Sequence, residues 1–226
     1  MSQEVAKKAA ASAAIEIIEP GMKLGLGTGS TSKYFIELLG KKCKEGLKIE
    51  AAATSRESER LAEQEGIPIL SMENLTELDL TVDGADEIDS EMTLIKGAGG
   101  ALVREKIIAT MSAQMIVIAD ATKQVDRLGR GPLPVEVIPF GAFATKHQLE
   151  QLGCEASFRN DSNGSPFVTD NHNWILDIQL PEDLDSFEEA HIQILCLPGV
   201  VETGFFFHLA TKVVIGKPDG TTELLT

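Results

Sequence analysis

Apolar positions along this chain alternate between two spacings. Residues 3–18 (QEVAKKAAASAAIEII) place alanine and isoleucine at helical intervals and stop at Pro20-Gly21, which predicts a first helix. An apolar run at 22–25 predicts a strand. The loop Gly27-Thr28-Gly29-Ser30-Thr31 then leads into a helix at 31–44, with Ser30 or Thr31 as its cap. Further strands are expected at 48–54, 67–70, 78–82 and 115–119. Helices are expected in the charged segment that begins at Ser55 and closes at Gly66, and at 101–113 after Gly97-Ala98-Gly99-Gly100. Short apolar runs such as MIVIA are those of strands covered on both faces. Alternation of strand and helix predicts an α/β fold with a parallel, Rossmann-like doubly wound sheet. Ligands on such a sheet sit at the C-terminal ends of its strands.

The order changes after residue 130. Strands at 133–138, 154–159, 167–169 with 174–180, and 200–205 are joined by helices at 141–152 and from an Asp183 cap to near Cys196. That sequence, β-α-β-β-α-β, is the split unit of ferredoxin-like α+β folds. The tail, 212–216 plus PDG and TELL, reads as strand, turn and strand returning to the first sheet. The expected division is a Rossmann-like catalytic domain from 1–129 with 206–226, and a ferredoxin-like domain from 130–205. The second domain offers a subunit interface through exposed strands and apolar segments such as GFFF at 204–207.

Composition narrows the function. With 226 residues, 43% of them hydrophobic, the chain can bury a core without disulfide or metal staples. A net charge of −15, from 35 acidic and 20 basic residues, argues against nucleic acid and anionic membranes as partners. No apolar run approaches the roughly 18 residues of a membrane span, and the charged first helix is not a signal peptide. Cys43, Cys154 and Cys196 are odd in number and far apart, as expected of reduced thiols in a cytoplasmic protein. Residues 151–226 hold three basic groups, Arg159, Lys212 and Lys217, against twelve acidic ones. Any phosphate site is therefore expected in the first part of the chain.

Three segments there bear candidate chemistry. In the glycine–hydroxyl loop, glycines let the backbone approach an anion, and Thr28, Ser30 and Thr31 add donors beside a helix N-terminus. It is not a dinucleotide fingerprint, because the third glycine position falls at Ser30 and the next strand ends in Thr54-Ser55 rather than an acid. A plain tight turn before a capped helix is the alternative. The second segment, TVDGADEID, ends a strand with Asp83 and Asp86 around the small Gly84 and Ala85, so that both carboxylates face the cleft and can exchange protons with hydroxyls. A metal is disfavoured, since the spacing matches no EF-hand loop and no histidine is near. Glu87, Asp89 and Glu91 read as a solvated turn.

In the third segment, Lys96 precedes the Gly97-Ala98-Gly99 turn, where an ammonium can neutralise a developing oxyanion. Glu105 has Ala101, Leu102, Ile108 and Ala109 as its helical neighbours. Burial on that stripe would raise its pKa toward that of a useful base, whereas pairing with Arg104 or Lys106 would make it a surface glutamate. Lys123, at another strand exit, reaches either a phosphate or solvent. His147, His172, His191 and His208 are scattered and read as structural or exposed. No Ser-His-Asp or Cys-His set is visible, which disfavours a covalent nucleophile.

Taken together, GLGTGSTS, VDGADEID, IKGAGGALVREKI and ADATKQVDRLG, followed by LPVEVIP, VTDN and PGVVETGFF, resemble the type A ribose-5-phosphate isomerase family over nearly the whole chain. The resemblance implies an aldose–ketose isomerase that interconverts D-ribose 5-phosphate and D-ribulose 5-phosphate through an enediolate, in the non-oxidative pentose phosphate pathway. It implies no metal or organic cofactor, and a homodimer or homotetramer. Carried over from the motifs, Glu105 is the general base, and Lys96, Asp83 and Asp86 are its catalytic companions. Thr28, Gly29, Ser30, Thr31, Asp83, Gly84, Ala85, Asp86, Lys96, Gly97, Ala98, Gly99 and Lys123 are the implied substrate contacts. Lys96 then steadies the oxyanion, and either Asp83 or Asp86 moves protons between the substrate oxygens. The competing classes are a non-catalytic sugar-phosphate sensor, an amino-sugar phosphate deaminase and a CoA transferase. The presence of both Glu105 and Lys96 favours the isomerase over the sensor, and a panel of sugar phosphates separates the other enzymes.

Overall fold

The computed structural model describes residues 2–181 and 184–226. Its first part runs α1 (Ser2–Ile15), β1 (Lys23–Leu26), α2 (Ser30–Lys44), β2 (Glu50–Ala53), α3 (Arg56–Glu65), β3 (Leu78–Asp83), two short strands β4 (Glu87–Ile88) and β5 (Leu94–Ile95), α4 (Leu102–Thr110) and β6 (Ser112–Asp120). Local chemistry sets several of these limits. The Ser55 hydroxyl caps α3 by accepting from the Ser58 N–H, and Gly66 ends it in the left-handed region at φ +80°. In α1, Ala6, Ala10, Ala11 and Ala14 form the buried stripe, and their small size brings the helix close to the sheet.

The middle of the chain forms β7 (Leu133–Val137), α5 (Ala142–Gln151), β8 (Glu155–Phe158), β9 (Trp174–Gln179), α6 (Phe187–Leu195) and β10 (Val200–Thr203). These four strands make an antiparallel sheet in the order β10-β7-β9-β8, the ferredoxin-like arrangement. The chain then gives β11 (Phe205–Phe206), β12 (Lys212–Gly216) and β13 (Thr222–Leu225).

The main sheet has the order β13-β12-β6-β3-β1-β2, parallel except for β13. Counting only its parallel strands in chain order gives 2-1-3-4-5, the flavodoxin-type variant of the doubly wound sheet. Its switch point lies between β1 and β3, where successive crossovers diverge and leave a crevice. Strands buried on both faces sort their side chains by parity. In β6, Ile116 and Ile118 join the core under α1 and α2, while Met115, Val117 and Ala119 join a second core with Leu94, Phe206 and Ile215. The crossover from β6 to β12 carries the whole ferredoxin-like unit.

The architecture agrees with the expected fold class, and the differences have local causes. Residues 67–70 make one bridge, Ala51 to Ile69, rather than a strand, because Pro68 has no N–H to extend the ladder. Residues 167–169 contribute only the Val168–Trp174 bridge. The expected Asp183 cap lies outside the described residues; Ser186 caps α6 through the Glu189 N–H. The run 200–205 is broken at Gly204, where β10 leaves the antiparallel sheet and β11 enters a small sheet with β5 and β4. A side chain at Gly204 would stand 2.3 Å from the Lys96 carbonyl oxygen, so only glycine permits the switch. Within GFFF, Phe205 and Phe206 are fully buried core, and Phe207 is half-buried. Glu87 is not a solvated acid either. It is buried and accepts from the N–H groups of Gly129, Arg130 and Gly131.

Phe206 fills the core beneath Lys96 and Lys106, whose ammonium groups lie 5.6 and 5.0 Å from its ring centre. Phe206→Ala is expected to cost about 3–5 kcal/mol of unfolding free energy, read from urea titration, and a loss below about 1 kcal/mol would contradict this packing.

Candidate active site

Four loops meet at the C-terminal edge of the main sheet, at its switch point. The register Leu24–Leu80 and Leu26–Val82 sets β1 and β3 side by side, and the Gly27 N–H continues the ladder to the Val82 carbonyl at 2.9 Å. A Cβ on Gly27 would lie 2.0 Å from Asp83 Oδ1, so this glycine is what lets the two loops touch. Together with the Lys96 turn and the short 3₁₀ helix after β6 they enclose a cavity of about 210 Å³. Thr28, Gly29, Ser30, Thr31, Gly84, Ala85, Asp86, Lys96, Gly97, Ala98, Gly99, Glu105 and Lys123 line it. The remaining candidate, Asp83, lies beneath and is fully buried.

The floor holds one cation between two carboxylates. Lys96 Nζ is 3.0 Å from Asp83 Oδ2 and 3.1 Å from Glu105 Oε1, and donates to the Gly84 carbonyl. All three side chains are almost wholly buried. Lys96 is placed from both ends: its N–H donates to the Gly204 carbonyl at 2.9 Å, and its ammonium faces the end of β3. Burial alone would lower its pKa. The charges of Asp83, Glu105 and Asp86 outweigh burial and hold the pKa above the ordinary 10.5, so Lys96 stays charged.

The two carboxylates differ. Asp83 Oδ1 accepts from the N–H groups of Thr28 and Gly84 at 3.0 and 2.7 Å and from the Ser32 hydroxyl at 3.4 Å, and Oδ2 faces Lys96. Glu105 Oε2 is buried with no donor at all. Burial raises the Glu105 pKa above the ordinary 4.5, and the Lys96 charge offsets only part of that rise. A dry carboxylate with a free oxygen can take and return a proton. The helix places it: Leu102, Ile108 and Ala109 on the same stripe of α4 are buried, whereas Arg104 turns to Asn171 and Asp170 and Lys106 to Glu202. The surface reading of Glu105 therefore does not hold. Asp86 is half-buried on the cavity wall, with Oδ2 accepting from the Ala98 N–H at 2.8 Å.

The other end of the cavity suits an anion. Gly29, at φ +108°, is the N-cap of α2, and no side chain caps this end, contrary to the expected role of Ser30 or Thr31. The first N–H groups of the helix face the loop uncapped. Lys123 lines the same cavity. Thr28 differs from expectation: its hydroxyl turns to Thr54, Ser55 and Ser58, at 2.7, 2.8 and 3.3 Å. Its methyl group faces Gly99.

Sequence reasoning missed two charged neighbours. Lys7 Nζ donates to the Ser30 hydroxyl at 2.9 Å. Its signal was available, since Lys7 precedes Ala10, Ala11 and Ala14 by three, four and seven positions and so shares the buried stripe of α1. Asp120 ends β6 and caps the 3₁₀ helix that presents Lys123, through the Thr122 N–H. Burial opposes its charge, but bonds from Thr122 and Gln3 and the Lys7 charge prevail and lower its pKa.

A buried carboxylate with a free oxygen beside a buried ammonium, at the switch point of a doubly wound sheet and close to an uncapped helix N-terminus, is the arrangement of an enzyme site able to move protons on a small anionic ligand. The family profile described as Ribose 5-phosphate isomerase A (phosphoriboisomerase A) matches residues 50–220. The ribose-5-phosphate isomerase A of Rhodopseudomonas palustris strain TIE-1 is 49% identical over 226 residues, covering 97% of each chain. That of Bacillus mycoides is 45% identical over 217 residues, covering 96% of this chain and 98% of its own. Among solved structures, a D-ribose-5-phosphate isomerase in complex with phospho-erythronic acid superposes with a TM-score of 0.94 at 40% identity, covering 100% of this chain and 99% of the other. The chain belongs to the ribose 5-phosphate isomerase A family.

Replacing Lys96 by methionine removes the nearest positive charge, so the Glu105 titration is expected to move further up. Carboxyl ¹³C NMR of labelled glutamate reads this directly, and a titration that stays where it was would show that Lys96 does not act on Glu105.

Proposed function

We propose that this chain catalyses the interconversion of D-ribose 5-phosphate and D-ribulose 5-phosphate in the non-oxidative pentose phosphate pathway, with Glu105 as the base. The observation that supports it best is the buried Glu105 carboxylate, one oxygen on Lys96 and the other without a donor. With the open-chain aldose bound, Glu105 Oε2 takes the proton from C2, and electrons move through C1 to the carbonyl oxygen to form a cis-enediolate. The same carboxylic acid then delivers that proton to C1. Lys96 and the Gly99 N–H of the Gly97–Gly99 turn face the charge that develops on oxygen. Proton movement between O1 and O2 falls to Asp86, which faces the cavity. Asp83 lies fully buried beneath the cavity, with Oδ1 on the Thr28 and Gly84 N–H groups and Oδ2 facing the Lys96 charge, and serves to hold Lys96 and the Thr28 loop. The phosphate rests on the N-terminus of α2, with Lys7 and Lys123 on either side.

A positioned base contributes roughly 10²- to 10⁴-fold in rate, so Glu105→Gln should lose at least that much kcat with little change in substrate affinity. A coupled assay for ribulose 5-phosphate, run beside wild type, tests this. Retention of most turnover would remove Glu105 from the mechanism.

The division into a catalytic domain, 1–129 with 206–226, and a second domain, 130–205, accompanies this reading. The second domain is the proposed contact of a homodimer or homotetramer, supported by Phe140 and Phe143, which are 91% and 73% exposed near the start of α5. Light scattering should report an oligomer that Phe140→Ser with Phe143→Ser weakens; a wild-type monomer would refute it. The proposed location is the cytoplasm, in keeping with three free cysteines, and cell fractionation tests it.

A further inference from the structure

The one basic side chain of the ferredoxin-like unit that reaches the site is Arg159, just beyond β8. Its Nη1 donates to the carbonyl oxygens of Gly97 at 2.8 Å and Ala98 at 3.0 Å. Its Nε donates to Asp177 Oδ2 on β9 at 2.9 Å, and Nη2 pairs with Oδ1 of the same carboxylate. The guanidinium is thus held in one plane by its own domain while it grips a loop of the other part. It also lies 5.9 Å from the ring centre of Phe167, and that ring packs so closely on Gly100 that a Cβ there would be 2.4 Å from it.

This grip fixes a direction. In a planar trans peptide the C=O and the following N–H point opposite ways. With the carbonyls of Gly97 and Ala98 both drawn to Arg159, the N–H groups of Ala98 and Gly99 must point away from it, toward the cavity. The Ala98 N–H does so and donates to Asp86 at 2.8 Å. The Gly99 N–H has no acceptor among the described residues and is open to the cavity. The Gly97 carbonyl also accepts from the Gly100 N–H at 2.9 Å, so the turn helps to hold the first of these peptides; the second, Ala98–Gly99, depends on Arg159, and glycine at 99 leaves it free to rotate without that bond.

We propose that Arg159, held by Asp177, is a positioning residue that turns the Ala98 and Gly99 N–H groups into the cavity, the first to orient Asp86 and the second to donate to the enediolate oxygen. The ferredoxin-like unit thereby sets the donor geometry of the site. This deepens the isomerase reading and rests on it.

Loss of such aim costs on the order of 10- to 100-fold. Arg159→Met should therefore lose about that factor in kcat, with KM for ribose 5-phosphate changing much less. Affinity for phospho-erythronate, whose carboxylate bears charge where the enediolate does, should fall in parallel with kcat. Asp177→Asn should show a smaller loss in the same direction, because Arg159 keeps its carbonyl bonds. A folded Arg159→Met protein with wild-type kcat, or one altered in KM alone, overturns the proposal. If Arg159→Met does not fold, Arg159→Lys decides. Lysine lacks the planar fork that spans two carbonyls and a carboxylate, so a partial loss of kcat supports the proposal and wild-type kcat overturns it. Two further readouts separate this proposal from the isomerase reading. Wild type inert toward ribose 5-phosphate removes the latter. Amide exchange of Gly99, slower in wild type than in Arg159→Met or Arg159→Lys if the loop is held, tests the grip without turnover, and equal rates refute it.

Discussion

One buried ammonium organises the molecule's chemistry. Lys96 lies out of water between two carboxylates, and a charge so placed is tolerable only if every neighbour is fixed around it. β3 must end at Asp83, the chain must switch sheets at Gly204 to bind the Lys96 backbone, and α4 must present Glu105 from its apolar stripe. One positive charge cannot satisfy two negative ones. Asp83 meets the shortfall with bonds from Thr28, Gly84 and Ser32, and Glu105 keeps it. The raised pKa of Glu105 follows from its burial and from that asymmetry.

The same logic explains how a chain of net charge −15 can hold an anion. Attraction over the whole surface is unavailable, so the positive potential is local: uncapped N–H groups of α2, and the ammonium groups of Lys7 and Lys123. Contacts between the two sheets stiffen this arrangement. Arg104, next to Glu105, is bonded to Asn171 and the Asp170 carbonyl, and Asn171 is in turn held by the buried Glu136.

Much of this was legible from residue order. The alternation of strand and helix, the caps of α3 and the return of the tail all follow from periodicity and turn chemistry, which act over a few residues. The pair Glu105 and Lys96 was visible as a carboxylate on an apolar stripe and a lysine before glycines, and the resemblance of the motifs settled which acids to weigh. Tertiary geometry decided the rest. Nothing local distinguishes Asp83 from Asp86, because the difference is that one lies under the loop and the other beside it. The turning of Thr28 toward Ser55 and Ser58 depends on where α3 packs. Arg159 is remote in sequence from Gly97 and was counted only as charge. Glu87 looked like part of an acidic run, and its three backbone donors arrive from residues 129–131.

The placement of the ferredoxin-like unit inside the crossover from β6 to β12 has a consequence for biosynthesis. As the chain leaves the ribosome, β6 emerges with a bare edge, and its partner β12 follows only after residues 121–211 have been made. An unpaired hydrophobic edge invites pairing with a neighbouring nascent chain. The antiparallel unit, complete in itself from β7 to β10, can fold during that interval and shorten the distance β12 must search. Pairing of β12 with β6 then closes the crossover, and pairing of β11 with β5 carries Gly204 onto the strand that leads to Lys96. The backbone of Lys96 is therefore secured only after Gly204, more than a hundred residues further on, has been made.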